Sequence, residues 1–292
     1  MRDVTALIPA AGLGTRMVPA TKETPKEMLP VPFEDDGGLV FKPFIQLVYE
    51  SLYTAGVRTF VIVVGRGKRI LQDHFVVDWG LHETLVRKGK KREAAWLERF
   101  YSMVEDSTII WVDQPEPRGL GDAVLRGLRA VSTPHVLIHL GDILLHRPGH
   151  NPVRDLLGAL ECPECPGTIG LISVDDPRSY GVAIPGDPVG CEARGSLGGL
   201  FRVKGLVEKP REPPSRYAIT GVYVLPARPL EEALLETGRN PSTGELELTD
   251  ALQLLAERTG LCGAIVEGVS YLDIGRPERY LWTIRMLAGD RC

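Results

Sequence analysis

The chain has 292 residues, 43% of them hydrophobic and 25% charged, with a formal net charge of -4 and a pI of about 5.9. That length supports a large core, as one large α/β domain or two small ones, and the acidic balance gives no overall field to attract nucleic acid. The longest apolar runs, 61–64 and 136–140, fall far short of the roughly 20 residues that span a bilayer, and Asp3 and the polar stretch 12–26 do not read as a signal peptide, so a soluble, cytoplasmic protein is expected.

Short β-branched runs alternate with amphipathic stretches. Residues 4–9 read as a strand and 44–55 as a helix, with Phe44, Leu47, Val48, Ser51 and Leu52 on one face and Gly56 as its stop. Strands are expected at 59–64, 107–112 and 136–140, and helices at 68–75, 93–103 and 122–131. The second half reads differently: strands at 168–174, 180–184, 200–208 and 218–225, and helices at 230–235, 249–259 and 280–287. The alternation predicts parallel strands joined by crossovers, hence an α/β chain with a doubly wound mixed sheet. No linker interrupts it, so 1–292 is read as one domain whose second half forms a less regular lobe.

The basic run Arg87-Lys88-Gly89-Lys90-Lys91-Arg92 reads as solvated surface, because nothing aromatic or basic extends it. Cys162, Cys165, Cys191, Cys262 and Cys292 make an odd count, which argues against a disulfide scaffold. Cys162-Pro-Glu-Cys165 has zinc-ligand spacing, but no second such pair completes it; structural thiols or an occasional disulfide are the favoured reading. The six histidines include no HExxH.

Behind the first strand stand Gly12, Gly14, Thr15, Arg16, Lys22 and Lys26. Glycine lets backbone amides approach an anion closely, and such amides cradle phosphates. A dinucleotide fingerprint would need glycine where Met17 stands, and no P-loop GxxxxGK[ST] is present. What remains is a glycine turn followed by the planar fork of Arg16 and the point charge of Lys26, both suited to phosphate oxygens. The plainer alternative is a glycine-rich turn with solvated cations.

Gly12-Leu13-Gly14-Thr15-Arg16, Pro19-Ala20-Thr21-Lys22 and Pro25-Lys26-Glu27-Met28-Leu29-Pro30 resemble the signature of the sugar-1-phosphate nucleotidylyltransferases, most nearly their uridylyl-transferring branch. The resemblance implies a Rossmann-like single domain, the nucleotide-diphospho-sugar transferase fold, with a nucleotide-binding half at about 1–145 and a sugar-binding half at about 146–292. Ala11, Gly12, Gly14 and Thr15 would lie against the nucleotide, and Arg16 and Lys26 would act on its phosphates. The segment from Gln114 through Gly119 and Gly121 to Ala123 resembles the base-reading block, in which a glutamine amide can pair with the imide edge of uracil or thymine. Asp122 departs from the His or Thr usual there.

His139-Leu140-Gly141-Asp142 closes the fourth strand, where ligands of such sheets gather. The resemblance makes Asp142 a magnesium ligand and Asp273, in Tyr271-Leu272-Asp273-Ile274-Gly275, its companion; a helix N-cap is the plainer reading of Asp142. Leu206-Val207-Glu208-Lys209-Pro210 matches VEKP, so Lys209 would hold the sugar phosphate and Glu208 the sugar hydroxyls. Alternation sends those two side chains to opposite faces, so a local bend is needed. Gly181, in Ser179-Tyr180-Gly181-Val182, would let backbone approach the sugar. Gly244-Glu245-Leu246-Glu247-Leu248-Thr249-Asp250 resembles a further block beside it.

The insert at 73–97 resembles the uridylyl branch, whereas Asp273-Ile274-Gly275-Arg276-Pro277-Glu278-Arg279-Tyr280 resembles the thymidylyl and guanylyl branches. Residues 33–40 are longer than the family's link, and Asp35 to Gly38 predict a turn, hence a hairpin near the entrance. The resemblance implies Mg²⁺, a UTP or dTTP substrate with a sugar 1-phosphate, no nucleic-acid or membrane partner, and a homodimer or homotetramer. A thymidylyltransferase or another sugar-1-phosphate nucleotidyltransferase, and a catalytically silent sugar-nucleotide-binding regulator, remain alternatives at this point.

Overall fold

The first strand, β1 (Val4–Ala10), is buried along almost its whole length because helices cover both of its faces. Leu7 packs into one core, and Ala6 and Ile8 into the other. The structure is a computed structural model describing residues 4–35 and 38–289. In its first half come β2 (Pro30–Asp35), β3 (Gly38–Pro43), α1 (Phe44–Thr54), β4 (Thr59–Gly65), α2 (Arg69–His74), α3 (Trp79–Arg87), α4 (Lys91–Glu105), β5 (Thr108–Gln114), α5 (Leu120–Leu128), β6 (His135–His139) and β7 (Ile143–His146). In its second half come α6 (Pro152–Gly158), β8 (Thr168–Ser173), β9 (Gly181–Pro188), β10 (Leu197–Glu208), β11 (Tyr217–Pro226), α7 (Ala227–Thr237), α8 (Leu248–Thr259), β12 (Cys262–Val266), β13 (Ser270–Asp273) and α9 (Pro277–Ala288).

Nine strands form one sheet in the order β5-β4-β1-β6-β11-β8-β12-β10-β9. β5, β4, β1 and β6 run parallel, while β11 pairs antiparallel with β6 and begins the mixed half. Helices α5, α7 and α8 cover one face, and α1 and α6 pack in the core on the other. The expected doubly wound mixed sheet is the one observed. Because β1, β5 and β6 are parallel, the loops after all three open on the same edge.

Three short strands escape the sequence reading: β7, β12 and β13. Each is four or five residues long and pairs with distant chain; β13 lies antiparallel to β7, and β12 lies between β8 and β10. The hairpin expected near residues 33–40 is β2–β3. It does not stand at the entrance to the site. Phe33, Asp35 and Lys42 line a separate cavity of about 660 Å³, and Lys42 is buried against Asp35 and Glu50 at 3.0 and 2.8 Å. The basic run spans the end of α3 and the start of α4, with every residue exposed, as expected.

The cysteine reading needs correction. Cys162 pairs with Cys191 and Cys165 with Cys262, two disulfides among the described residues. An odd count misleads because four cysteines pair among themselves, while Cys292 lies outside the described residues. Among the described residues no helix is long and apolar enough to cross a membrane.

Candidate active site

The loop after β1 leaves the sheet edge and turns at Gly14, whose φ of +64° disfavours any side chain. Thr21 fixes that turn by donating to the Gly14 carbonyl at 2.8 Å. Lys26 starts a single helical turn, Lys26–Met28, and its ammonium is hydrogen-bonded and ion-paired to Asp142 in the turn between β6 and β7. Burial opposes the charge on Lys26, but Asp142 and Glu27 outweigh it and hold the ammonium above its ordinary range.

Two residues that the sequence reading passed over lie beneath. Glu27, almost wholly buried, meets Lys68 at 3.0 Å, and Lys68 also donates to the Ala10 carbonyl at 2.6 Å. Burial pushes the Glu27 carboxyl up and the Lys68 ammonium down, each resisted by the other's charge. This pair anchors the end of β1 to the turn that carries Lys26. Glu27 sat inside a recognised block, but nothing local pointed to Lys68.

Asp142 and Asp273 are brought together by pairing between β7 and β13, and Ile274 N–H donates to the Asp142 carbonyl at 3.1 Å. The point where a Cβ on Gly275 would stand lies 3.0 Å from Asp273 Oδ1 and 3.6 Å from Asp142 Oδ2. Burial raises the pKa of Asp273, with Asp142 adding to the rise and the Gly275 N–H opposing it. Two hard carboxylates converging on one cavity suit a divalent cation whose other ligands come from phosphate and water. Among the described residues no cluster of three or more such groups forms a complete metal cage.

Two cavities meet at this point. One, of about 500 Å³, is lined by Arg16, Tyr180, Asp273, Arg276 and Arg279 among others. The second, of about 410 Å³, is lined by Ala11, Gln114, Gly119, Leu120 and Glu245 among others. Gly12, Thr15, Lys26 and Asp142 line both. Arg276 and Arg279 add two cations that the sequence reading used only as branch markers; Arg279 donates to the Tyr180 hydroxyl at 2.9 Å.

Gln114, at the end of β5, is 5% exposed. Its amide N–H groups go to the Gly119 carbonyl at 3.1 Å and to Asp122 Oδ2 at 2.9 Å. Gly121 stands apart from the cavity: its N–H donates to the Leu246 carbonyl at 2.8 Å. A Cβ on Gly119 or Gly121 would come within 2.6 or 2.7 Å of that carbonyl oxygen. Both glycines therefore admit the Glu245–Leu246 backbone.

At the far side Glu208 ends β10, and the bend expected after it falls on Lys209. Among the described residues Lys209 is the only non-glycine with positive φ, +41°. That turn brings its ammonium back onto Glu208, whose other oxygen accepts from Thr249 at 2.7 Å. Gly181 leaves room for this carboxylate, since a Cβ there would lie 3.2 Å from Glu208 Oε2. Gly181, Glu208 and Lys209 line neither cavity; they stand directly behind Tyr180, whose carbonyl accepts from Lys209 N–H at 3.1 Å.

A glycine-turn cradle beside paired cations, a carboxylate pair and a mixed sheet define a phosphate-handling α/β protein. Residues 5–288 match the family described as "Nucleotidyl transferase", and the chain belongs to that family. It is 34% identical over 290 residues to the UTP–glucose-1-phosphate uridylyltransferase of Bacillus subtilis, covering 95% of this chain and 88% of that protein. The crystal structure of an apo UDP-glucose pyrophosphorylase superposes with a TM-score of 0.85 at 29% identity, covering 100% of both chains. A UDP-glucose pyrophosphorylase complexed with UDP-glucose gives 0.81 at 28%, covering 98% of both.

Proposed function

We propose that this chain transfers the uridylyl group of UTP to glucose 1-phosphate, giving UDP-glucose and pyrophosphate. The observation that carries the reading is the junction of two cavities at Lys26 and Asp142, with Gln114 in one and Arg16, Arg276 and Arg279 in the other. It is supported by similarity to uridylyltransferases along nearly the whole chain.

A sugar-phosphate oxygen attacks the α-phosphorus in line and pyrophosphate leaves. No protein nucleophile is needed; catalysis is positioning and neutralisation of charge. The first half, to about residue 145, takes the nucleotide and the second takes the sugar. The Gly12–Thr15 backbone and Arg16 hold the triphosphate, and Lys26 draws charge from it. Lys209 orients the attacking phosphate, and Glu208 accepts from sugar hydroxyls. Asp142 and Asp273 would hold a Mg²⁺, which when bound neutralises phosphate charge.

Pyrophosphate release, measured over a grid of nucleoside triphosphates and sugar 1-phosphates, tests the proposal. UTP with glucose 1-phosphate is expected to be fastest and dTTP slower, because a methyl in an apolar pocket is worth about 1–3 kcal/mol. ATP and GTP should be nearly inactive. Faster turnover with dTTP would sink the uridylyl assignment and favour the reading suggested by Asp273 to Tyr280. No turnover with any pair would leave the silent regulator.

A further inference from the structure

We infer that Asp122 is a positioning residue for base choice: it locks the Gln114 amide so that its carbonyl oxygen alone faces the base, which selects uracil over cytosine. The inference rests on Gln114 reading the base.

Asp122 is 9% exposed in the first turn of α5. One oxygen, Oδ2, accepts from Gln114 Nε2 at 2.9 Å and from Arg126 Nε, one helical turn on, at 2.8 Å. Gln114 Nε2 also donates to the Gly119 carbonyl at 3.1 Å. A carboxylate and a carbonyl only accept, so both demand the NH₂ end of the amide. Turning the amide over would face its oxygen onto two acceptors inside a buried site, leaving donor and acceptors unpaired. Burial disfavours charge on Asp122, but the bonds from Gln114 and Arg126 prevail and keep it ionised.

Both amide hydrogens are thereby used within the protein. Among the described residues no donor meets Gln114 Oε1, and that atom is not sealed from solvent. It is the polar atom that Gln114 offers to the cavity it lines. An acceptor fixed there pairs with the N3–H of uracil or thymine. Cytosine presents an unprotonated N3, also an acceptor, and is refused. A free glutamine amide would turn over and take either base. The discrimination therefore rests on Asp122, with the Gly119 carbonyl beside it, and Asp122 need not touch the nucleotide.

The test compares UTP with CTP, each with glucose 1-phosphate and the full-length protein, by kcat/KM. Asp122→Asn keeps the shape but can donate as well as accept, so only the Gly119 carbonyl still opposes turning of the Gln114 amide. The UTP:CTP ratio is expected to fall roughly tenfold or more, mostly through faster use of CTP. Asp122→Ser removes the same lock and serves should the asparagine variant not fold. An unchanged ratio, or equal losses on both nucleotides, overturns the inference. Gln114→Leu separates the two layers. If it collapses the ratio while Asp122→Asn does not, Gln114 reads the base without help from Asp122. If Gln114→Leu leaves the ratio intact, the base-reading role and the inference both fall.

Discussion

Lys26 and Asp142 reach each other across 116 positions of sequence, and that contact organises the centre of the site. Asp142→Asn leaves Lys26 facing a neutral amide, and should lower kcat roughly a hundredfold, as loss of one preorganised electrostatic group does. Unaltered turnover in a folded Asp142→Asn protein would remove that carboxylate from the chemistry. Lys209 is tested differently, because its backbone is left-handed. Lys209→Gly removes the charge while suiting the φ, so the KM for glucose 1-phosphate should rise well above any change in the KM for UTP. Its unfolding midpoint should stay level or increase. A rise confined to the nucleotide KM would exchange the two phosphate subsites. At this scale much of the site was legible: the glycine turn, Lys26, Gln114 and Asp142 stand in short blocks with chemistry of their own. Lys68 was not, because its meaning comes from Glu27 and the Ala10 carbonyl.

Elements were legible where periodicity was long and local. β1, β4 and α1 announce themselves; β12 does not, since five residues between β8 and β10 acquire their strand identity from those neighbours. Disulfides are likewise facts of proximity. The Cys165–Cys262 bond spans 97 positions and ties the segment before β8 to β12. Replacing both by serine should cost about 4–5 kcal/mol of unfolding free energy on the loop-closure account. Neither residue lines either site cavity, so turnover at moderate temperature should persist. Denaturant melts alongside pyrophosphate release check both halves, and parallel loss of the two would tie this bond to the site. Gly121→Ala probes the start of α5. Its methyl would press on the Leu246 carbonyl, so it should destabilise the fold by roughly 1–3 kcal/mol and weaken UTP use. A neutral result in both assays would show that the loop yields freely.

Buried histidines contribute to how the whole molecule answers acid. Burial pushes His74 and His139 each down to about 4. Unfolded, each takes up a proton near its ordinary 6.5, so the contribution of each to stability is full above that value and falls as pH drops toward 4. Each contributes about 3 kcal/mol to that loss. His74 stacks on Phe100, with ring centroids 5.0 Å apart, so His74→Phe preserves the packing. The variant should flatten the decline of the unfolding midpoint between neutral pH and about 4.5, and an unchanged slope would place the sensitivity elsewhere. Another consequence lies in Leu246. Its N–H donates to the Arg118 carbonyl at 2.9 Å, its own carbonyl receives the Gly121 N–H, and Thr249, just beyond it, holds Glu208. A single strip of backbone thus joins the cavity lined by Gln114 and Glu245 to the Glu208 carboxylate, the groups proposed above for nucleotide and sugar. Two guests that order the same strip divide its entropic cost, so whichever arrives first makes the second bind more tightly, and thermodynamic reciprocity makes the gain equal in either order of arrival.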